Sequence, residues 1–131
     1  MEKYTYEQLV GIIAELRSEH GCPWDRAQTH ESMIKCLREE CEEVVIAIEN
    51  KDDENLCEEL GDVLLQVLLH SQIAAEEGRF TIADVVDGLA AKMIRRHPHV
   101  FGDAKTAQTP EEGLANWKAM KELEKAAKEK R

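Results

Sequence analysis

Two stretches whose apolar residues recur at helical spacing, from about Thr29 to Glu49 and from Asp52 or Asp53 to Gly78, are separated only by the short polar turn from Asn50 to Asp53. Helices joined this closely fold back on each other as antiparallel neighbours. Met33, Ile34, Leu37, Val44, Val45 and Ile48 mark the apolar face of the first. Leu56, Leu60, Val63, Leu64, Val67 and Leu68 mark that of the second. Their recurrence every three or four residues is the signature of an amphipathic helix. Thr29 suits the N-cap of the first helix, Asp52 or Asp53 that of the second, and Gly78 the C′ position that closes it. Leu65 and Leu69 carry apolar surface beyond one stripe, which in a small protein points to a subunit interface.

Three further segments have helical spacing. One runs from about Thr5 to Ser18, with Leu9, Ile12, Ile13 and Leu16; another starts at Thr81 and ends near Arg96, because His97 precedes Pro98. The last opens at Thr109-Pro110-Glu111-Glu112, a capping box with proline at N1. Between the first two helices, His20-Gly21-Cys22-Pro23-Trp24-Asp25 reads as an irregular loop. With only three prolines and seven glycines in 131 residues, 43% hydrophobic and 34% charged, the expected fold is all-α. It is a single domain over residues 1–131, a bundle of about five helices completed by homo-oligomerisation. Its core covers about residues 5–120, and residues 121–131 form a helical tail that frays.

Charge narrows the partners. Seventeen basic against 27 acidic residues leave a net charge of −10, which argues against nucleic acid or an anionic membrane surface as partner. No apolar stretch approaches the ~18 residues of a membrane span, and no secretory signal opens the chain. Cys22, Cys36, Cys41 and Cys57 form no CxxC pair and read as reduced thiols, so the expected location is the cytoplasm.

The chemistry lies in the carboxylates. Glu39, Glu40 and Glu43 fall on the first helix of the hairpin, Glu59 and Asp62 on the second. Offsets of three or four place side chains on one helix face. Glu43 lies about seven residues before the turn and Glu59 about six after it, so at ~1.5 Å per residue the two groups stand at nearly the same height. Two acidic pairs therefore face each other across one groove. Glu40, Glu59 and Asp62 also interrupt apolar faces, where like charges losing hydration are costly unless something neutralises them. Magnesium or manganese does so with oxygen ligands, leaving positions open for substrate. A di-iron bundle needs Glu-x-x-His pairs, and none of His20, His30, His70, His97 or His99 has Glu three residues earlier. Cys36 and Cys41, five apart on a helix, point in different directions and make no zinc pair. Neither a GxxxxGK[ST] loop nor a GxGxxG turn is present.

Laid out this way, the chain resembles the MazG family of nucleoside triphosphate pyrophosphohydrolases. The EExxE…ExxD pattern of that family reads here as Glu39-Glu40-Cys41-Glu42-Glu43 and Glu59-Leu60-Gly61-Asp62. Gly21-Cys22-Pro23-Trp24-Asp25 and Arg95-Arg96-His97-Pro98-His99-Val100-Phe101 are similar to two further MazG stretches. The resemblance implies magnesium-dependent hydrolysis between the α and β phosphates of a nucleoside triphosphate, giving NMP and pyrophosphate, with manganese as a possible substitute. It also implies an all-α fold paired with a second subunit as a homodimer or homotetramer. By position, Glu40, Glu43, Glu59 and Asp62 match the metal ligands. Glu39 matches the first motif Glu, with a catalytic role in orienting or deprotonating the attacking water, or in supporting the metal site.

Lys92, Arg95 and Arg96 at the end of the fourth predicted helix are candidates for phosphate contact, against the plainer role of cations at a helix C-terminus. Trp117 and Trp24 are candidates for stacking on base or ribose, against ordinary core packing. Lys35 and Arg38 are weaker phosphate candidates, and His30 and His70 read as structural. Two alternatives stand beside the enzyme: a non-catalytic nucleotide-binding helical dimer, and a specialised dUTP or dCTP pyrophosphatase.

Overall fold

The structure, a computed structural model, describes residues 2–102 and 107–129. Those residues form seven α-helices and one 3-10 turn, with no strand among them: α1 Tyr6–Leu16, α2 Pro23–Ala27, the 3-10 turn Glu31–Met33, α3 Ile34–Glu49, α4 Asp53–Glu76, α5 Ile82–Arg96, α6 Pro98–Phe101 and α7 Pro110–Glu129. The all-α expectation holds. The chain divides into two compact units, Met1–Ile82 and Ala83–Arg131.

In the first unit the local chemistry of each helix start is visible. Thr5 and Gln8 exchange backbone-to-side-chain hydrogen bonds of 3.2 and 2.8 Å, a complete capping box that begins α1 at Tyr6. Asp52 accepts the Asn55 N–H at 3.1 Å and starts α4. Gly78, at φ 70°, ends the α4 segment in the left-handed conformation that glycine adopts without strain. Thr29 is not the cap of a continuous helix. Thr29 and Ser32 satisfy each other, Ser32 N–H to Thr29 Oγ1 at 3.0 Å and Thr29 N–H to Ser32 Oγ at 2.8 Å. This ties off a 3-10 turn, and α3 begins only at Ile34. The stretch read as an irregular loop after α1 contains a one-turn helix, α2, and another, α6, follows α5; each has a proline in its first turn, Pro23 and Pro98.

The hairpin of α3 and α4 is the frame of this unit. Met33, Leu69 and Ile73 form its buried cluster, with Cys36 packed against them. Ile13 from α1 and Leu68, Ala47 and Ala74 are also buried. Arg17 staples the segment after α1 to α4. Its guanidinium makes a two-point contact with Glu76, at 2.9 and 3.0 Å, and donates to the Asp25 and Gln28 carbonyls at 2.5 and 3.0 Å. One buried side chain thus ties the C-terminal half of α2, just after Trp24, to α4.

In the second unit, Thr109 accepts the Glu112 N–H at 3.2 Å and Pro110 opens α7. The Glu112 carboxylate takes the Gln108 N–H at 2.7 Å instead of that of Thr109, so the capping box is displaced by one residue. Arg95 and Arg96 of α5 both hold Glu124 of α7, the latter through bonds of 3.1 and 2.9 Å. No described residue of α5, α6 or α7 is buried. Lys130 and Arg131, part of the tail expected to fray, lie outside the described residues.

Candidate metal centre

The α3–α4 hairpin brings Glu40 and Glu43 against Glu59 and Asp62. One carboxylate oxygen from each lies within 4.8 Å of all the others. The three-residue spacing on each helix aims both acids of a pair across the same groove, and the short turn sets the two pairs at one level. Glu40, Glu59 and Asp62 are half-buried, while Glu43 is exposed.

This packing perturbs the acids. Glu59 is pushed up to about 7, first by a hydrogen bond with the Glu43 carboxyl, then by burial and by the charges of Glu43, Asp62 and Glu40. Glu40 is also pushed up, by burial and by the charges of Glu43 and Asp62, with the Glu59 contact acting in the opposite direction. Crowded carboxylates that must share a proton show what the groove lacks, a positive charge. Glu40 Oε2 and Glu59 Oε2 are buried without a hydrogen-bond partner. Lone pairs left unanswered in this way fit the hard oxygen-ligand shell of magnesium or manganese.

Glu39 stands apart from the four. Its side chain is 58% exposed and pairs with Lys35 at 3.8 Å, on the neighbouring aspect of α3. Behind the acids lies a feature that the sequence reading passed over. Gln66, only 1% exposed, donates Nε2–H to Cys36 Sγ at 3.4 Å, and Cys36 Sγ is 4.0 Å from Glu40 Oε1. Its sequence signal was present, since Gln66 is the polar interruption in the apolar run from Val63 to Leu69.

Trp24 lies on α2 and is 62% exposed, more than core packing requires. In the second unit, the Arg96 guanidinium lies 4.8 Å above the Trp117 ring, and His97 meets the same ring edge-on at 5.4 Å. Arg95 and Arg96 are engaged by Glu124, whose carboxyl they pull below the ordinary range. His30 and His70, read as structural, face each other through Nδ1 atoms 2.7 Å apart, and Arg79 lies 2.6 Å from His30 Nε2. An arginine only donates, so His30 accepts at Nε2, donates from Nδ1 to His70, and leaves the His70 proton on Nε2.

The profile of the MazG nucleotide pyrophosphohydrolase domain matches residues 28–101 of this chain. The chain is 53% identical over 123 residues to the nucleoside triphosphate pyrophosphohydrolase/pyrophosphatase MazG of Thermotoga maritima, covering 94% of this chain and 46% of that protein. It is 43% identical over 123 residues to the nucleoside triphosphate pyrophosphohydrolase of Escherichia coli strain K12, covering 93% and 46%. With the uncharacterized protein YabN of Bacillus subtilis it shares 51% over 131 residues, covering 98% and 27%. A crystal structure of a mazG-related protein from Thermotoga maritima superposes with a TM-score of 0.71 at 32% identity, covering 88% of this chain and 98% of that one. The chain spans less than half the length of each of these three curated relatives.

Proposed function

The chain belongs to the MazG nucleotide pyrophosphohydrolase family, and from that premise we propose that it hydrolyses nucleoside triphosphates between the α and β phosphates, releasing NMP and pyrophosphate. The observation that carries this reading is the cage of four carboxylates with two unanswered buried oxygens. No described helix is long and apolar enough to cross a membrane, and four free cysteines suit the reducing cytoplasm.

Glu40, Glu43, Glu59 and Asp62 would hold magnesium, or manganese in its place. Bound there, magnesium would supply charge neutralisation along the polyphosphate and a more acidic attacking water. Glu39, exposed and beside Lys35 at the margin of α3, would orient the attacking water or take its proton. The proton that Glu59 holds against the Glu43 carboxyl would have to leave for the acids to close on a cation. Lys92, Arg95 and Arg96 contact phosphate, and Trp117 and Trp24 offer ring faces to the nucleoside.

We also assign a homodimer or homotetramer to the chain. Val45, Ile46 and Ile48 on α3 and Leu60, Leu64 and Leu65 on α4 are 39–57% exposed. A stable monomer rarely leaves so many large apolar side chains of two neighbouring helices in water. Light scattering coupled to size exclusion is expected to read at least twice the 14.9 kDa of one chain; a monomer at micromolar concentration removes the assignment.

The reaction is tested with a panel of ribo- and deoxyribonucleoside triphosphates in Mg²⁺, in Mn²⁺ and in a chelator. Pyrophosphate and NMP are expected with the metals and absent with the chelator. Glu43→Gln and Asp62→Asn are each expected to lower turnover at least about a hundredfold while the helical circular dichroism persists. Absence of pyrophosphate with every nucleotide, or full turnover in both variants, overturns the reading.

A further inference from the structure

Arg79, His30 and His70 form a hydrogen-bonded chain with a fixed direction. Arg79 Nη2 lies 2.6 Å from His30 Nε2, and the His30 and His70 Nδ1 atoms are 2.7 Å apart. The two rings are stacked, 9° from parallel with centroids 5.0 Å apart. With the guanidinium as the donor, both histidines are neutral, His30 protonated on Nδ1 and His70 on Nε2. The chain joins the segment that leads into the 3-10 turn to partners 40 and 49 residues away, on α4 and just after Gly78.

A further proton can enter only at His30 Nε2 or His70 Nδ1, and both already act as acceptors. On His30 it meets the Arg79 guanidinium; on His70 it meets the His30 N–H. Either way a donor faces a donor and one link is lost. His70 Nε2 offers no relief, being buried without a partner. The surrounding charges are largely spent on one another. Glu76 on α4 is held by Arg17 from the segment after α1, and Glu77 by Arg79. Arg26 of α2 lines the same cavity, and Glu31 of the 3-10 turn draws a proton toward the pair. Burial first, and then the positive charge that His30 can carry, nevertheless hold His70 below the usual histidine range.

We propose that this chain is an acid-sensitive latch, in which protonation of either histidine frees the segment around His30 from the end of α4 while the α3–α4 hairpin stays folded. The neighbouring cluster of Met33, Leu69 and Ile73 contains no titratable group, so acid leaves it in place. A released histidine takes its proton at the ordinary value near 6.5, and the latched pair does so only at lower pH. The closed form is therefore fully favoured above that value and loses ground as pH falls. Going from about pH 7.5 to about 5.5 favours the open form roughly tenfold per histidine, or about a hundredfold for the pair.

The test is made on the full chain. Nitrogen-15 NMR of the histidine rings at about pH 8 is expected to show His30 protonated on Nδ1 and His70 on Nε2, with His70 titrating below the ordinary value near 6.5 on acidification. Amide hydrogen exchange of Thr29 and Ser32, whose N–H groups bond each other's hydroxyls, is compared at the two pH values after division by the intrinsic rate. It is expected to accelerate about a hundredfold in the wild-type chain and about tenfold in His70→Gln, whose side-chain oxygen still accepts from His30 but takes no proton. In the double variant His30→Gln/His70→Gln it is expected to stay flat, and the helical circular dichroism is expected to hold throughout. The opposite tautomers, a His70 that titrates at or above the ordinary value, or a wild-type acceleration under about threefold overturns the latch. So does an equal acceleration in the double variant, or loss of the helical signal over the same range. Should a variant fail to fold, the wild-type ring spectra and exchange rates decide by themselves.

Discussion

Replacing Arg17 by methionine keeps the aliphatic stem and deletes every hydrogen bond of the guanidinium. The Arg17 side chain is 7% exposed and that of Glu76 36%. Two backbone carbonyls, Asp25 and Gln28, lose their donor, at about 1 kcal/mol each. The two-point contact with Glu76 contributes about 1 kcal/mol more once solvent screening of the half-open carboxylate is allowed for. Because the four bonds share one group they do not add strictly, and the expected loss is about 2–4 kcal/mol. For a chain of this size that corresponds to a fall in Tm of roughly 8–15 °C. Arg17 also holds Glu76 below the usual carboxylate range, so the stability due to this pair is present above the unfolded-state value and is lost as pH falls through the folded one. The gap between the two proteins is therefore expected to narrow in acid. Thermal melts by circular dichroism at pH 7 and at about pH 4 measure both effects. A Tm within 2 °C of wild type at pH 7, or a gap that widens in acid, refutes the argument that this side chain anchors the turn.

Two other perturbations bear on the site and on the segment before it. Glu59, raised to about 7, favours the folded state while protonated, so without metal its contribution is present below the unfolded value near 4.5 and lost as pH rises through about 7. Metal binding must remove that proton, so Mn²⁺ affinity is expected to rise about tenfold between pH 6 and 8 with proton release; calorimetry in two buffers of different ionisation enthalpy reads both, and a flat affinity without release contradicts the shared proton. Gly21→Ala would put a methyl 2.3 Å from the Glu15 and Leu16 carbonyl oxygens, backbone atoms that cannot yield cheaply, and is expected to cost at least about 1–3 kcal/mol. Gly11→Ala, which meets nothing within 4 Å in α1, is expected to stabilise by about 0.5–1 kcal/mol; equal melts for the two variants contradict the clash.

The hairpin and its acids were legible because they rest on local rules. Helical spacing follows from 3.6 residues per turn, and the short turn between α3 and α4 leaves only an antiparallel return. Glu40, Glu43, Glu59 and Asp62 consequently had to meet, and they do. Glu39, next to Glu40 in the chain, is rotated from it by about 100° around the helix, and it pairs with Lys35. Leu65 and Leu69 looked alike in sequence, yet one is 39% exposed and the other 4%, because only packing against α1 and α3 decides which side of a broadly apolar helix is covered.

What the sequence by itself determined is therefore periodic: the helices, the hairpin, and two acid pairs facing across one groove. What only the tertiary structure decided is aperiodic. Arg17 meeting carbonyls eight and eleven residues later and a carboxylate 59 residues later, and Gln66 reaching Cys36 from 30 residues away, follow from no repeat. Such contacts form where polar groups, carried inward by the burial of their apolar neighbours, must find partners out of water, and which partner stands in reach is settled only when the chain has folded.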